Sequence, residues 1–193
     1  GGLVAVRSSA TAEDLDGASF AGQQSTYLNV DGPGNVVRAV RAAWASLFEA
    51  RAIFYRQGNS IRHADVAMAV AVQRMVAAEV SGVMFTVHPL AEDSNAMLIE
   101  AVYGLGEPLV SGQLSPDSYV VSRPGLDVSR RDLAVQPWML SRNGNGHGFE
   151  GGLKRVALPP ARQGRQKLGD AEIGALAEMG LRLERHYGQP QDV

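Results

Sequence analysis

The chain has 193 residues, the size of one globular domain or of one large piece of a longer protein. Hydrophobic residues make up 45% and charged residues 20%, with a formal net charge of -2. These values exclude a disordered chain and a nucleic-acid binder that works through a basic surface. Cysteine is absent, which removes disulfides, thiolate metal sites and thiol nucleophiles, and no apolar run is long enough to span a bilayer.

In chain order, Val4-Ala5-Val6 is strand-like, and a chain that opens inside a strand reads as a fragment. Residues 7–26 are small and polar and read as a loop, with Thr11 and Asp14 spaced to cap one helical turn. Tyr27-Leu28-Asn29-Val30 resumes as a short strand. Asp31-Gly32-Pro33 starts a helix, and Val36, Val40, Ala43, Trp44, Leu47, Ala50 and Phe54 keep helical spacing, so one helix is expected over 31–58.

Val66, Met68, Val70 and Val72 alternate with Ala67, Ala69 and Ala71, the pattern of a strand buried on both faces. Further strands follow at 82–87, 96–101 and 119–121. A sheet over 65–125 is expected, antiparallel because the connections are short. Residues 141–169, rich in Gly, Pro, Asn and Arg, read as an exposed connection. Asp170 then caps a last helix over 170–188, with Ile173, Leu176, Gly180, Leu183 and Tyr187 as its apolar stripe. The class is α+β on an antiparallel sheet.

Four features bear on chemistry. Arg7 is expected at the end of an apolar strand, where its planar fork suits phosphate or carboxylate, and Ser8, Ser9 and Thr11 add hydroxyls beside it. Residues 18–22 are small enough for backbone N–H groups to approach a polyphosphate; the competing reading is a polar loop with Arg7 in a surface ion pair. Gln73 ends a strand read as buried, so its amide needs a partner, either an adenine edge or neighbouring backbone. Glu100 and Glu107 are candidate metal ligands or solvated carboxylates, and the histidines at 63, 88, 147 and 186 share no metal-binding spacing. His147 is a weak candidate phosphate acceptor in a glycine-rich stretch.

The run Val4-Ala5-Val6-Arg7-Ser8-Ser9-Ala10-Thr11-Ala12-Glu13-Asp14, with Ala18-Ser19-Phe20-Ala21-Gly22-Gln23-Gln24, resembles the nucleotide-binding domain of phosphoenolpyruvate synthases. That family includes pyruvate phosphate dikinase and rifampicin phosphotransferase. The resemblance continues through Val72-Gln73-Arg74-Met75-Val76, Ser81-Gly82-Val83-Met84-Phe85-Thr86, Gly104-Leu105-Gly106-Glu107 and Ser115-Pro116-Asp117. It closes on Glu184-Arg185-His186-Tyr187-Gly188-Gln189-Pro190-Gln191-Asp192, and so spans nearly the whole chain.

The resemblance implies an ATP-grasp-like fold, in which two α+β subdomains clamp ATP and Mg²⁺, with this chain as the central part. It implies a cytoplasmic enzyme that phosphorylates a histidine on a swivelling domain, which carries the phosphoryl group to pyruvate held by an acceptor-binding domain. It makes Arg7 the phosphate-binding and catalytic arginine, Gly22, Thr26 and Tyr27 the phosphate loop and following strand within residues 1–30, and Gln73 part of the adenine pocket. The family's early lysine and late metal-binding glutamate fall outside these residues, so the fragment alone is expected to be inactive. Two alternatives stand beside this one: a rifampicin-phosphotransferase-like enzyme with another acceptor, and a non-catalytic nucleotide-binding domain.

Overall fold

The computed structural model describes residues 2–11, 14–15, 18–19, 26–90, 95–142 and 152–193. The chain forms two compact units, Gly1–Val76 with Arg142–Leu153 and Ala77–Ser141 with Lys154–Val193.

The first unit is built on a three-stranded antiparallel sheet, with β1 (Val4–Ala10) between β4 (Thr26–Val30) and β5 (Met68–Arg74). Two very short strands, β2 (Asp14–Leu15) and β3 (Ala18–Ser19), pair with each other. Val6, Val30 and Ala39 are the buried centre, with Val4, Tyr27, Val36, Val40 and Val70 around them. Ala39 and Ala43 of α1 (Pro33–Ser46) are fully buried, and their small side chains let the helix lie close on the sheet.

Three local expectations are corrected here. The first strand does not end at Val6. Ser8, Ser9 and Ala10 continue it, since each has a partner on β5, and Arg7 therefore sits mid-strand. The turn expected between Thr11 and Asp14 finds no support among the described residues: Thr11 donates its amide to the Ala67 carbonyl (2.9 Å) and its hydroxyl accepts the Ala67 amide (3.1 Å), while Asp14 lies in β2.

The helix expected over 31–58 is two helices, because Glu49 is extended (ψ 150) and α2 (Ala50–Gly58) starts after it. The Ser46 hydroxyl donates to the Ala43 carbonyl (2.7 Å), and Arg56 reaches back to the Leu47 carbonyl and to His63 Nδ1 (2.8 Å), holding the break. Periodicity misses this break, since apolar spacing carries on across it; Trp44, Phe48 and Phe54 end exposed.

The third correction concerns β5, which was expected to be buried on both faces. Val72 is 50% exposed and Ala69, Ala71 and Gln73 are exposed as well. β5 is an edge strand whose even-numbered residues share the α1 face, while its odd-numbered face has no helix on it among the described residues. The alanines that resembled tight packing face outward.

The second unit has an antiparallel sheet in the order β6 (Val80–Phe85), β7 (Ala96–Tyr103), β8 (Asp117–Ser122) and β9 (Val128–Asp132), which matches the expected antiparallel pairing. One face of this sheet, Met84, Met97, Ile99, Ala101, Tyr119 and Val121, packs on Ile173 and Ala177 of α5 (Asp170–Tyr187). Gly180 is the closest approach: a Cβ there would stand 2.9 Å from the methyl carbons of both Met84 and Met97. Gly188 ends the helix in the left-handed conformation (φ 72), as its position in the sequence suggests. Gln191 and Val193 run antiparallel to β6, with reciprocal Met84–Val193 backbone bonds of 2.9 Å.

The segment expected as an exposed connection over 141–169 is structured wherever it is described. β10 (Trp138–Arg142) pairs with β11 (Leu153–Ala157), a short α4 (Pro160–Gln163) follows, and Leu158 and Lys167 are buried. Lys167 is fully buried against Asp117, with Nζ 2.6 Å from Oδ1. Composition marked this stretch as loop because its anchors are bonds to distant residues. Among the described residues, no helix is long and apolar enough to cross a membrane.

Candidate functional site

Register places the predicted site residues. On β1, Val4 and Val6 face α1, so Ala5, Arg7 and Ser9 face the other way. Arg7 pairs with Thr26 of β4 on one side and Ala71 of β5 on the other, and Ala5 pairs with Gln73. Directly paired residues share a face. Arg7, Thr26 and Gln73 therefore meet on the face of the first unit's sheet away from α1, with Ser9, Ala69 and Ala71 exposed on the same face and Ala5 buried there.

That arrangement decides several points. Arg7 is exposed and has no acidic partner among the described residues, so the ion-pair reading finds no support there. The paired residues on this face carry no carboxylate, and alanines beside Arg7 and Gln73 leave a low floor over which a flat or extended anion can lie. Gln73 is exposed, so burial does not demand a partner for its amide. Tyr27 does not join this group: it pairs with Val6, and its ring packs partly buried with the α1-facing cluster. Gly22 and His147 lie outside the described residues. Of the three hydroxyls placed near Arg7 by sequence, Ser8 turns to the α1 face, Thr11 is engaged by Ala67, and Ser9 stays on the Arg7 face.

In the second unit, Glu100 is half-buried on the sheet face away from α5, paired with Val83 and Ser118, and Glu107 opens α3 (Glu107–Val110). Among the described residues, no three of His, Asp and Glu come together in a way that would hold a metal.

Two polar clusters there went unseen in the sequence. Asp117 accepts four bonds: from the Ala134 amide (2.9 Å), the Lys167 amide (2.9 Å), Lys167 Nζ (2.6 Å) and the Tyr119 hydroxyl (2.9 Å). Burial, added to by the Asp117 carboxylate, pushes the Tyr119 phenol far above its ordinary range and keeps it a donor. Glu184 is salt-bridged to Arg123 at 2.5 Å. Burial alone would raise its pKa, but hydrogen bonds from Thr86 and Arg123 outweigh that and hold it below the usual carboxylate range. Only the Pro116-Asp117 pair in the family motif hinted at the first cluster.

A family model described as the pyruvate phosphate dikinase AMP/ATP-binding domain matches residues 2–193. The chain belongs to this family. Over 190 residues, 98% of the chain, it is 48% identical to a probable phosphoenolpyruvate synthase of Methanocaldococcus jannaschii, where the match covers 16% of that protein. A probable phosphoenolpyruvate synthase of Archaeoglobus fulgidus is 50% identical over 190 residues, 98% of the chain and 24% of that protein. The rifampicin phosphotransferase of Streptomyces sviceus is 45% identical over 189 residues, again 98% of the chain and 21% of that protein. The family resemblance read from the sequence is thus borne out, and the chain spans about a quarter or less of these three relatives.

Proposed function

We propose that this chain is the ATP-binding part of a phosphoenolpyruvate-synthase-like phosphotransferase of ATP-grasp fold. The parent enzyme, a cytoplasmic one on this reading, uses Mg²⁺ and ATP to phosphorylate a histidine on a swivelling domain that delivers the phosphoryl group to pyruvate on an acceptor-binding domain. The observation that carries the proposal is the convergence of Arg7, Thr26 and Gln73 on the sheet face away from α1, with Arg7 free of any described acidic partner.

On that face Arg7 acts on phosphate. Its fixed fork neutralises and orients the polyphosphate, which is most of what phosphoryl transfer asks of a protein. Thr26, paired to Arg7 across β4, adds a neutral donor, and Gly22, outside the described residues, keeps the phosphate-loop role that the family resemblance implies. Gln73 reads the base edge through its amide. Tyr27 contributes by packing β4 on α1 rather than by touching the nucleotide. Mg²⁺ finds no carboxylate among the residues paired on this face. Those residues do not fit a resident metal, and no step is assigned to one.

The rifampicin-phosphotransferase-like alternative draws on the Streptomyces sviceus relative, whose identity to this chain is within a few per cent of that of the two synthases. The two share the nucleotide step and differ in the acceptor. The non-catalytic alternative differs from both in lacking turnover by the parent chain. The test is a calorimetric titration of ATP into the chain, with Arg7→Ala alongside. Loss of charge-assisted hydrogen bonds should weaken binding by about 1.5–3 kcal/mol. Equal affinity of the two proteins would remove Arg7 from the site.

A further inference from the structure

The face of the first sheet away from α1 has a direction. Its residues fall into rows across the strands, each row two residues farther along β1: Ala5 with Gln73, then Arg7 with Ala71 and Thr26, then Ser9 with Ala69. Successive rows are about 7 Å apart. On the reading proposed above, Gln73 holds the base and Arg7 a phosphate. The nucleotide then runs from the first row to the second, and any phosphates beyond those at Arg7 run on toward the third.

We infer that Ser9 is the donor for those outer phosphates, so that the face senses polyphosphate length. Ser9 is exposed, its hydroxyl has no partner among the described residues, and its cross-strand neighbour Ala69 has no side chain long enough to compete. It is the last residue of β1 on this face, since Ala10 turns to the other side and the Thr11 hydroxyl is already bonded with Ala67. A hydroxyl suits the task because it donates to an anion without adding charge that would also attract other anions. The inference goes beyond the nucleotide-binding reading in giving the ligand an orientation and a means of telling ATP from AMP.

The experiment is a titration of AMP, ADP and ATP into the 193-residue chain and into its Ser9→Ala and Ser9→Thr variants. Thermal melts should show unchanged folding, because the side chain is exposed and has no hydrogen bond among the described residues. Ser9→Ala should weaken ATP about tenfold while leaving AMP within twofold, and Ser9→Thr, which keeps the hydroxyl, should retain the ATP affinity. Loss of the same size on AMP and ATP, no loss on ATP, or a threonine variant as weak as the alanine variant would each overturn the assignment of Ser9. Failure of the unmutated chain to bind any of the three nucleotides would overturn the reading beneath it. Normal binding with an indifferent Ser9 would overturn this inference alone.

Discussion

Replacing Asp117 by alanine should come close to unfolding the second unit. The carboxylate and the Lys167 ammonium are both fully buried, and removing one leaves the other charged in a low-dielectric interior with the Ala134 carbonyl and the face of the Tyr103 ring (5.6 Å) as its remaining partners. Breaking a buried pair in this way costs about 3–5 kcal/mol. The substitution also strands the Ala134 and Lys167 amides and the Tyr119 hydroxyl, each of which loses its bond to Asp117. Unsatisfied buried donors add about 1–3 kcal/mol apiece where water cannot enter. Against a typical total stability of about 5–15 kcal/mol, the broken pair alone is expected to remove about 3 kcal/mol or more.

Urea denaturation followed by far-ultraviolet circular dichroism would measure the loss. A control separates charge from packing: Asp117→Leu combined with Lys167→Met removes both charges and should recover part of it, because no lone ion is then left inside. Asp117→Ala costing under about 1 kcal/mol would show that water or movement relieves the buried lysine, and the argument from burial would fail. A double variant as unstable as the sum of its singles would say the same of the pairing.

The other predictions are simpler. Gly104→Ala should lower the melting temperature by several degrees, since Gly104 has φ 82 and a Cβ there would run into the Leu140 carbonyl; a melt within a degree of the parent would refute it. Tyr27→Leu should reduce stability but leave ATP affinity alone, because the ring packs on the α1 face; a calorimetric loss of ATP binding in a folded variant would return Tyr27 to the site. Gln73→Leu should weaken ATP more than tripolyphosphate, and equal effects on the two would end its role as base reader. Glu184, whose pKa is lowered in the folded chain, adds stability that is present above the unfolded carboxylate value and lost as pH falls through the folded one. The gap in melting temperature between the parent and Glu184→Gln should therefore be steady at neutral pH and narrow only in acid, and a gap that widens as pH falls would contradict the sign.

Local pattern was enough for much of this protein. The apolar runs of β6, β7 and β8, the Ile173 and Gly180 positions of the α5 stripe and its glycine stop were legible, because each is set by the period of one element and the residues at its ends, whereas Tyr187 of the expected stripe is exposed. The family resemblance likewise implied a nucleotide site of Arg7, Gly22, Thr26, Tyr27 and Gln73, and of these Arg7, Thr26 and Gln73 share one sheet face. Errors came where a local signal had two meanings. Alternating valine and alanine in β5 fits a doubly buried strand and also an edge strand with one open face, and only its place in the sheet separates them. A helical stripe across residues 47–49 gives no sign of the break there, because Arg56 holds it from outside that window.

What tertiary structure alone decided was which residues meet. Arg7 and Thr26 are 19 residues apart and Arg7 and Gln73 are 66 apart in the numbering. They share a face because β1 pairs with both neighbours in registers that carry odd residues to the open side. A slip of one residue on β1 would turn Arg7 into the α1-facing core and put Val6 in its place. The same holds for Asp117 and Lys167, which stand 50 residues apart and bond only because the chain around Lys167 packs against β8. Propensity and period act over a few residues, whereas strand register and buried charge pairing are fixed by packing between distant parts of the chain, and it is those that turn a set of motif residues into a surface.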